Sequence, residues 1–100
     1  MRKDVYIICS AVWINDGKQH VHQPNNVESG YVVAGRRHCN CFHTLTMMHS
    51  DYMEYKKHHP ECGFLTSDNE WASRYKASRI AFKAGQIDKL TNGMSSEDLY

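Results

Sequence analysis

A nine-residue stretch near the N-terminus, Val5–Trp13, constrains the fold of this chain more than any other feature. It is rich in Val, Ile and aromatic residues and has the length of a β-strand. Both sets of alternating positions are mostly apolar, which predicts a central strand covered on both faces. Two helices on one side of a sheet would leave the other apolar face open, so the stretch also predicts an oligomer.

Turn residues divide the following sequence into short extended segments. Asn15–Lys18 contains Asp-Gly, which favours a hairpin turn, and Gln19–His22 is predicted as the short return strand. The same signals predict further segments: the strands Tyr31–Ala34 and Cys62–Thr66, the turn Ser67–Asn69 and the extended pair Glu70–Trp71.

Two later segments have the apolar spacing of helices, at about 38–53 and at Arg74–Ala84. Ser73 is the expected N-cap of the second helix, and Gly85 lies where a helix ends. A polar tail follows from about Asp88. The 100 residues therefore predict a single α+β domain, 1–100, with an antiparallel sheet of four to five strands and two helices packed on it.

The charge and hydropathy of the chain exclude several classes of protein. A net charge of +1 gives no overall basic footprint, which argues against a DNA-binding protein. No apolar run approaches the roughly 18 residues that span a bilayer, and no signal-peptide cleavage site is present. We therefore expect a cytoplasmic protein that binds neither membrane nor DNA and whose four cysteines are reduced.

The first candidate site is Gly35–His38, where a predicted strand leads into a helix. The free N–H groups of a helix N-terminus attract anions. Arg36 and Arg37 add bidentate donors suited to phosphate, and His38 adds another donor. Together they would form a small pyrophosphate cradle. The alternative is a pair of solvated arginines, or an ion pair with a glutamate.

The second candidate site is the turn that begins at Thr66. Thr66, Ser67 and Asn69 offer donors and acceptors, and an Asn amide can pair with the edge of an adenine. Phe64 and Trp71 offer flat rings for a base. The alternatives are that Asn69 only shapes the turn and that Phe64 belongs to the core. If the two strands that precede the candidate sites run in the same direction, the sites converge.

Metal binding and catalysis have weaker signals. His59 and Cys62 have the spacing of zinc ligands, but Cys39 and Cys41 would point to opposite sides of a helix, so buried thiols are favoured over a metal site. No Gly-x-Ser-x-Gly, Walker or His-Glu-x-x-His motif occurs. A nucleophile at Cys39 or Cys41 would lack an orienting third group. We therefore expect neither an enzyme nor a cofactor.

Several stretches resemble one family of small phage proteins. That family carries Gly-x-Arg-His-x-x-Cys and Gly-Phe-Leu-Thr-Ser in the same order as this chain. The matching stretches are His22–Val33, Gly35–Cys41, Gly63–Asn69, Ala81–Ile87 and Ser96–Leu99. The likeness covers most of the chain and is weakest across Thr46–Glu61. On these motifs the chain resembles the first-described Thoeris anti-defence family of phage signal sponges.

The resemblance implies a non-enzymatic protein that sequesters cyclic ADP-ribose isomers, which a host TIR-domain immune sensor makes in the infected cell. Family members are similar in holding cyclic oligonucleotides at separate sites. They are also similar in forming dimers or larger oligomers with ligand pockets between protomers.

The family motif continues with an aromatic residue and Asp-Arg before the last helix, where this chain has Trp71–Arg74. Arg74 matches the arginine of the family motif and is expected to contact the ligand, whereas Trp71 departs from the family pattern. A different class of function also fits the sequence, namely a small protein-interaction module, stapled by zinc, that inhibits a host factor.

Overall fold

The computed structural model describes residues 5–49 and 56–99 of the chain. The elements in these ranges are, in chain order, β1 (Ile7–Ile14), β2 (Tyr31–Gly35), α1 (His38–Met48), β3 (Glu61–Thr66), β4 (Trp71–Ser73), α2 (Arg74–Lys83) and the single turn α3 (Ser96–Leu99). The predicted α+β class is confirmed, with a four-stranded antiparallel sheet and two principal helices. No helix in the described ranges is long and apolar enough to cross a bilayer.

The order of the strands in the sheet is β2-β1-β3-β4, and every neighbouring pair is antiparallel. The strand with two apolar faces, β1, therefore has a neighbour on each side, as its sequence predicts. Because β2 and β3 both run antiparallel to β1, they are parallel to each other. Their C-terminal ends consequently lie at the same end of the sheet.

Both principal helices pack on one face of the sheet, and each covers its own half of the core. The half under α1 contains Val12, Ile14, Val33, Cys41 and Leu45. The half under α2 contains Ile7, Phe64, Ala72, Ala77, Ala81 and Met94.

The second face of the sheet is covered by the long loop between β1 and β2. Val27 from this loop packs on Ala11 and Trp71, and Trp13 contacts Trp71 edge to face with ring centroids 5.1 Å apart. The chain thus covers much of the face that was expected to need a partner. That geometry removes one of the grounds for predicting an oligomer.

The predicted return strand Gln19–His22 is wrong. The first turn forms, because the side chains of Asn15 and Asp16 accept hydrogen bonds from the backbone N–H groups two residues later. The chain then continues as a loop instead of pairing with β1. The edge of β1 that a return strand would need is taken by β2, from the pair Ser10–Gly35 to the pair Ile14–Tyr31.

The helix ends differ in how well the sequence predicts them. Helix α2 begins after Ser73, whose Oγ accepts a hydrogen bond from Lys76 N at 3.2 Å, as expected. Helix α1 ends at Met48, earlier than the predicted end near residue 53, and residues 50–53 lie outside the described ranges. The backbone of His49 is extended, and its ring Nε2 lies 2.9 Å from the Tyr31 hydroxyl, a tertiary contact that no local pattern specifies.

Candidate functional site

The two sequence-predicted sites lie at one end of the sheet. Strand β2 leads there into Arg36, Arg37 and α1, and β3 leads there into the turn Ser67–Asn69. Only β1 separates the two strands, so the strands lie two strand spacings apart, or about 10 Å. Their ends are also staggered, because Gly35 lies opposite Ser10 and Thr66 opposite Ile7. The expectation that the two sites converge therefore agrees with the observed strand directions. The end of the sheet that holds both segments is called the Arg–Asn end below.

The two arginines are fixed at their backbone. The Arg36 carbonyl accepts a hydrogen bond from Ser10 Oγ at 3.2 Å, and the Arg37 N–H donates to Asn40 Oδ1 at 3.1 Å. Arg36 is exposed and Arg37 is half-buried as the N-cap residue of α1. No acidic side chain lies in the first turn of α1, so the helix does not neutralise its own positive end. The segment is therefore electrostatically suited to an anion.

His38 has a positioning role in this structure. Its Nε2 lies 2.8 Å from the Gly63 carbonyl oxygen, and its ring contacts Phe64 edge to face at 5.1 Å. A carbonyl only accepts, so Nε2 carries the proton and donates. This bond ties the start of α1 to β3 across β1. His38 thus fixes the position of the arginines relative to the turn that contains Asn69.

Two of the predicted turn residues are used by the fold. The Thr66 hydroxyl is buried, donates to Asp68 Oδ1 and accepts from Glu70 N. Ser67 pairs with Tyr6, because Ser67 N donates to the Tyr6 carbonyl at 2.8 Å and Ser67 Oγ accepts from Tyr6 N at 3.0 Å. Both residues shape the turn, and their polar groups already have partners.

Asn69 is exposed and adopts a left-handed backbone conformation with φ of +62°. Its Nδ2 donates to Asn25 Oδ1 at 3.3 Å, and its carbonyl accepts from Asn25 N at 2.7 Å. Asn25 Nδ2 in turn donates to the Asp68 carbonyl. Sequence reasoning missed Asn25, which lies 44 positions away in the long loop, and no local pattern marks it. Two asparagine amides therefore stand side by side at the turn.

Two predicted site residues do not lie at the Arg–Asn end. Phe64 is completely buried in the half of the core under α2 and has no exposed face for a base, so its core alternative is the correct one. Arg74 follows β4, which runs back along β3 from Trp71 opposite Leu65 to Ser73 opposite Gly63. Arg74 therefore lies toward the other end of the sheet, where its Nε donates to the Met94 carbonyl at 2.9 Å.

The thiols near the sheet are not activated. Burial raises the pKa of Cys41 to about 11, and burial also raises the pKa values of Cys9 and Cys62. A thiol of this kind stays protonated at neutral pH and is a poor nucleophile. In residues 5–49 and 56–99, no group of three or more His, Cys, Asp or Glu side chains could hold a metal ion.

Four open clefts of about 370–760 Å³ lie on the described surface. None of these four is lined by Arg36, Arg37 or Asn69. Arg36 and Asn69 themselves are exposed on the surface of the protomer.

Comparison with known proteins gives one finding. Searches of the curated proteins and of the solved structures returned no match. A family profile described as "Phage T4 y16D protein" matches residues 6–100, which is nearly the whole chain. The chain therefore belongs to the phage T4 y16D protein family.

Proposed function

We propose that this phage protein binds and sequesters a cyclic nucleotide immune signal, specifically a cyclic ADP-ribose isomer, without cleaving it. One observation carries the proposal: the arginine segment and the Asn69 turn share one end of the sheet, with about 10 Å between their strands. The proposed ligand offers a pyrophosphate to one segment and an adenine to the other.

The pyrophosphate is assigned to Arg36, Arg37 and the start of α1. Guanidinium groups form charge-assisted bidentate bonds with phosphate oxygens, and free N–H groups at the helix start add to the attraction. The hydrogen bond from His38 to Gly63 supports the proposal, because it holds the segment in place before a ligand arrives.

The base is assigned to the paired amides of Asn69 and Asn25. An amide can donate and accept at once, which matches the edge of an adenine. The Oδ1 atom of Asn69 has no hydrogen-bond partner in the described part of the chain. This acceptor is thus available to an exocyclic amino group.

A second protomer is part of the proposal. Tight ligand sites bury most of the ligand surface, whereas Arg36 and Asn69 at the Arg–Asn end are exposed on the protomer. A homo-oligomer, a dimer or larger, would close the pocket from the other side. The same assembly is proposed to hold cyclic oligonucleotides at a separate site, and the proposed place of action is the cytoplasm of the infected host cell.

The test is incubation with a cyclic ADP-ribose isomer, followed by heat denaturation and mass analysis of the released ligand. Recovery of intact ligand at a stoichiometric level is expected, and a shortened or opened ligand would identify an enzyme instead. Sedimentation of the complex should give at least a dimer. A stoichiometric zinc content with no retained nucleotide would favour the zinc-stapled interaction module.

Variants locate the site. Arg36→Ala and Arg37→Ala should each weaken binding roughly ten- to a hundredfold, the loss expected for a charge-assisted contact. Lys57→Ala is the matched control, because it removes one exposed cation near Tyr31, at the opposite end of the sheet. Unchanged affinity in both arginine variants would eliminate the pyrophosphate cradle.

Asn69 needs a substitution that separates its two roles. Asn69→Ala would strain the left-handed backbone, so weaker binding could come from a distorted turn. Asn69→Gly removes the amide and accepts a φ of +62°. We expect Asn69→Gly to keep the melting temperature within a few degrees and to weaken binding about tenfold. Full affinity in this variant would leave Asn69 as a turn residue only.

A further inference from the structure

We infer that the outer edge of β2 is a docking site for an extended, acidic segment of a partner protein, which would add to the sheet as a fifth strand. Strand β2 is the edge strand of the sheet next to β1. Val32 N points away from β1, since it donates its hydrogen bond to Gln23 Oε1 at 2.8 Å. In an antiparallel strand the backbone N–H and C=O groups of every second residue face the same side. The N–H and C=O of Ala34, two residues after Val32, therefore also face away from β1.

The backbone groups of Ala34 have no hydrogen-bond partner in the described ranges, and the residue is exposed. The opposite edge of the sheet is different. Strand β4 has three residues, and the amide of Asn26 bonds both the N–H and the C=O of Trp71, at 2.8 and 2.7 Å. Side-chain amides thus bond Trp71 on the β4 edge and Val32 N on the β2 edge, whereas the backbone groups of Ala34 on the β2 edge stay open. Open edges pair readily with other chains.

The open edge forms the floor of a cleft of about 660 Å³. Met48 and Thr44 of α1 line one wall, and Val21 and Gln23 of the long loop line the other. Val21 and Met48 are 78% and 55% exposed. An added strand would cover these apolar groups with alternate side chains, which is how β-augmentation obtains its specificity.

The charges around the cleft determine the chemistry of the partner. Lys18 and Lys57 line an adjoining cleft at the Tyr31 end of β2. Arg36 and Arg37 follow β2 at its other end, about 17 Å away over five residues. The acidic residue of the cleft, Asp16, already has a hydrogen-bond partner, because its Oδ2 lies 2.9 Å from His20 Nε2. An extended segment with an apolar centre and acidic ends therefore complements this surface.

The probe is a synthetic peptide with Val-Thr-Val between pairs of glutamates, compared with the same peptide flanked by lysines. Binding of the acidic peptide should slow hydrogen exchange at the Ala34 amide by roughly tenfold or more at saturation. The double charge reversal Lys18→Glu with Lys57→Glu should weaken its binding roughly three- to tenfold. Both side chains are exposed, so the fold should persist.

A backbone variant tests the strand geometry. Ala34→Pro removes the outward N–H, which has no partner among residues 5–49 and 56–99, and should abolish peptide binding. Ala34→Thr keeps the N–H and a strand-compatible side chain and should bind normally. Absence of slowed exchange with either peptide at millimolar concentration would overturn the inference. Protection of the Ala34 amide in the free protein that rises with protein concentration would also overturn it, because a second copy would then occupy the edge.

Discussion

Replacing Gln86 by alanine tests how the first residues of β1 are held in the sheet. The Gln86 amide accepts a hydrogen bond from Ile7 N at 2.7 Å and donates one to the Ile7 carbonyl at 2.8 Å. These two bonds replace the backbone hydrogen bonds that a neighbouring strand would form with Ile7, since β2 pairs with β1 only from Ser10 to Ile14. Ile7 itself is 2% exposed and belongs to the core under α2, so water does not easily replace the amide.

The expected loss follows from those two bonds. Each is worth about 0.5–1.5 kcal/mol net, and a buried group left without a partner costs about 1–3 kcal/mol. Because both bonds are only partly buried, Gln86→Ala should lower the free energy of unfolding by about 2–4 kcal/mol. A domain of this size has about 5–15 kcal/mol in total.

The assay is urea denaturation followed by the fluorescence of Trp13 and Trp71. With a slope of about 2 kcal/mol per molar urea, the midpoint should fall by about 1–2 M. Gln19→Ala is the matched control, since the exposed Gln19 side chain makes no bond in the described ranges, and should change stability by less than about 0.5 kcal/mol. An equally small effect of Gln86→Ala, with an unchanged slope, would refute the reasoning.

Gln86→Glu adds a pH dependence. The carboxylate can accept from Ile7 N but would face the Ile7 carbonyl, whereas the protonated acid can donate to that oxygen. The pKa of this glutamate should therefore be raised in the folded protein. Its contribution is present at low pH and is lost as the pH rises through the folded pKa. The variant should approach wild-type stability at pH 4 and fall below it at pH 7.

Three further predictions concern separate positions. Gly63→Ala should destabilise by about 1–3 kcal/mol, because its Cβ would collide with the backbone and indole of β4, whereas Gly93→Ala meets only ordinary contacts and serves as the control. A thiol reagent at pH 8 should label exposed Cys39 within minutes and Cys41, with its pKa of about 11, only on unfolding; equal rates would contradict the burial argument. Partial burial raises the pKa of Asp16, but hydrogen bonds from Lys18 N and His20 lower this pKa overall. The stabilising effect of Asp16 should therefore be present at pH 7 and lost as the pH falls below about 3.8. Asp16→Asn should be less stable than wild type at pH 7 and equal to it near pH 2.5.

Local sequence patterns determined most of the secondary structure. The two apolar faces of Val5–Trp13 predict a central strand covered on both faces, and β1 lies inside the sheet with the helices on one face and the long loop on the other. Ser73 before an apolar helical repeat starts α2, because its hydroxyl accepts from a free N–H group of the first turn. These features depend on residues a few positions apart, so the sequence alone contains them. The sequence did not determine whether β2 and β3 run in the same direction. The order of the strands in the sheet makes them parallel.

The tertiary structure decided which polar and aromatic residues remain available. Phe64 looks like a stacking ring in sequence, but α2 packs over it. Arg74 comes only five residues after Asn69 in the sequence, but β4 runs antiparallel to β3 and places Arg74 toward the other end of the sheet. Asn25 and Gln86 acquire their roles through partners 44 and 79 positions away. Such bonds depend on where distant segments meet, because burial and hydrogen-bond geometry arise only when the whole chain has folded.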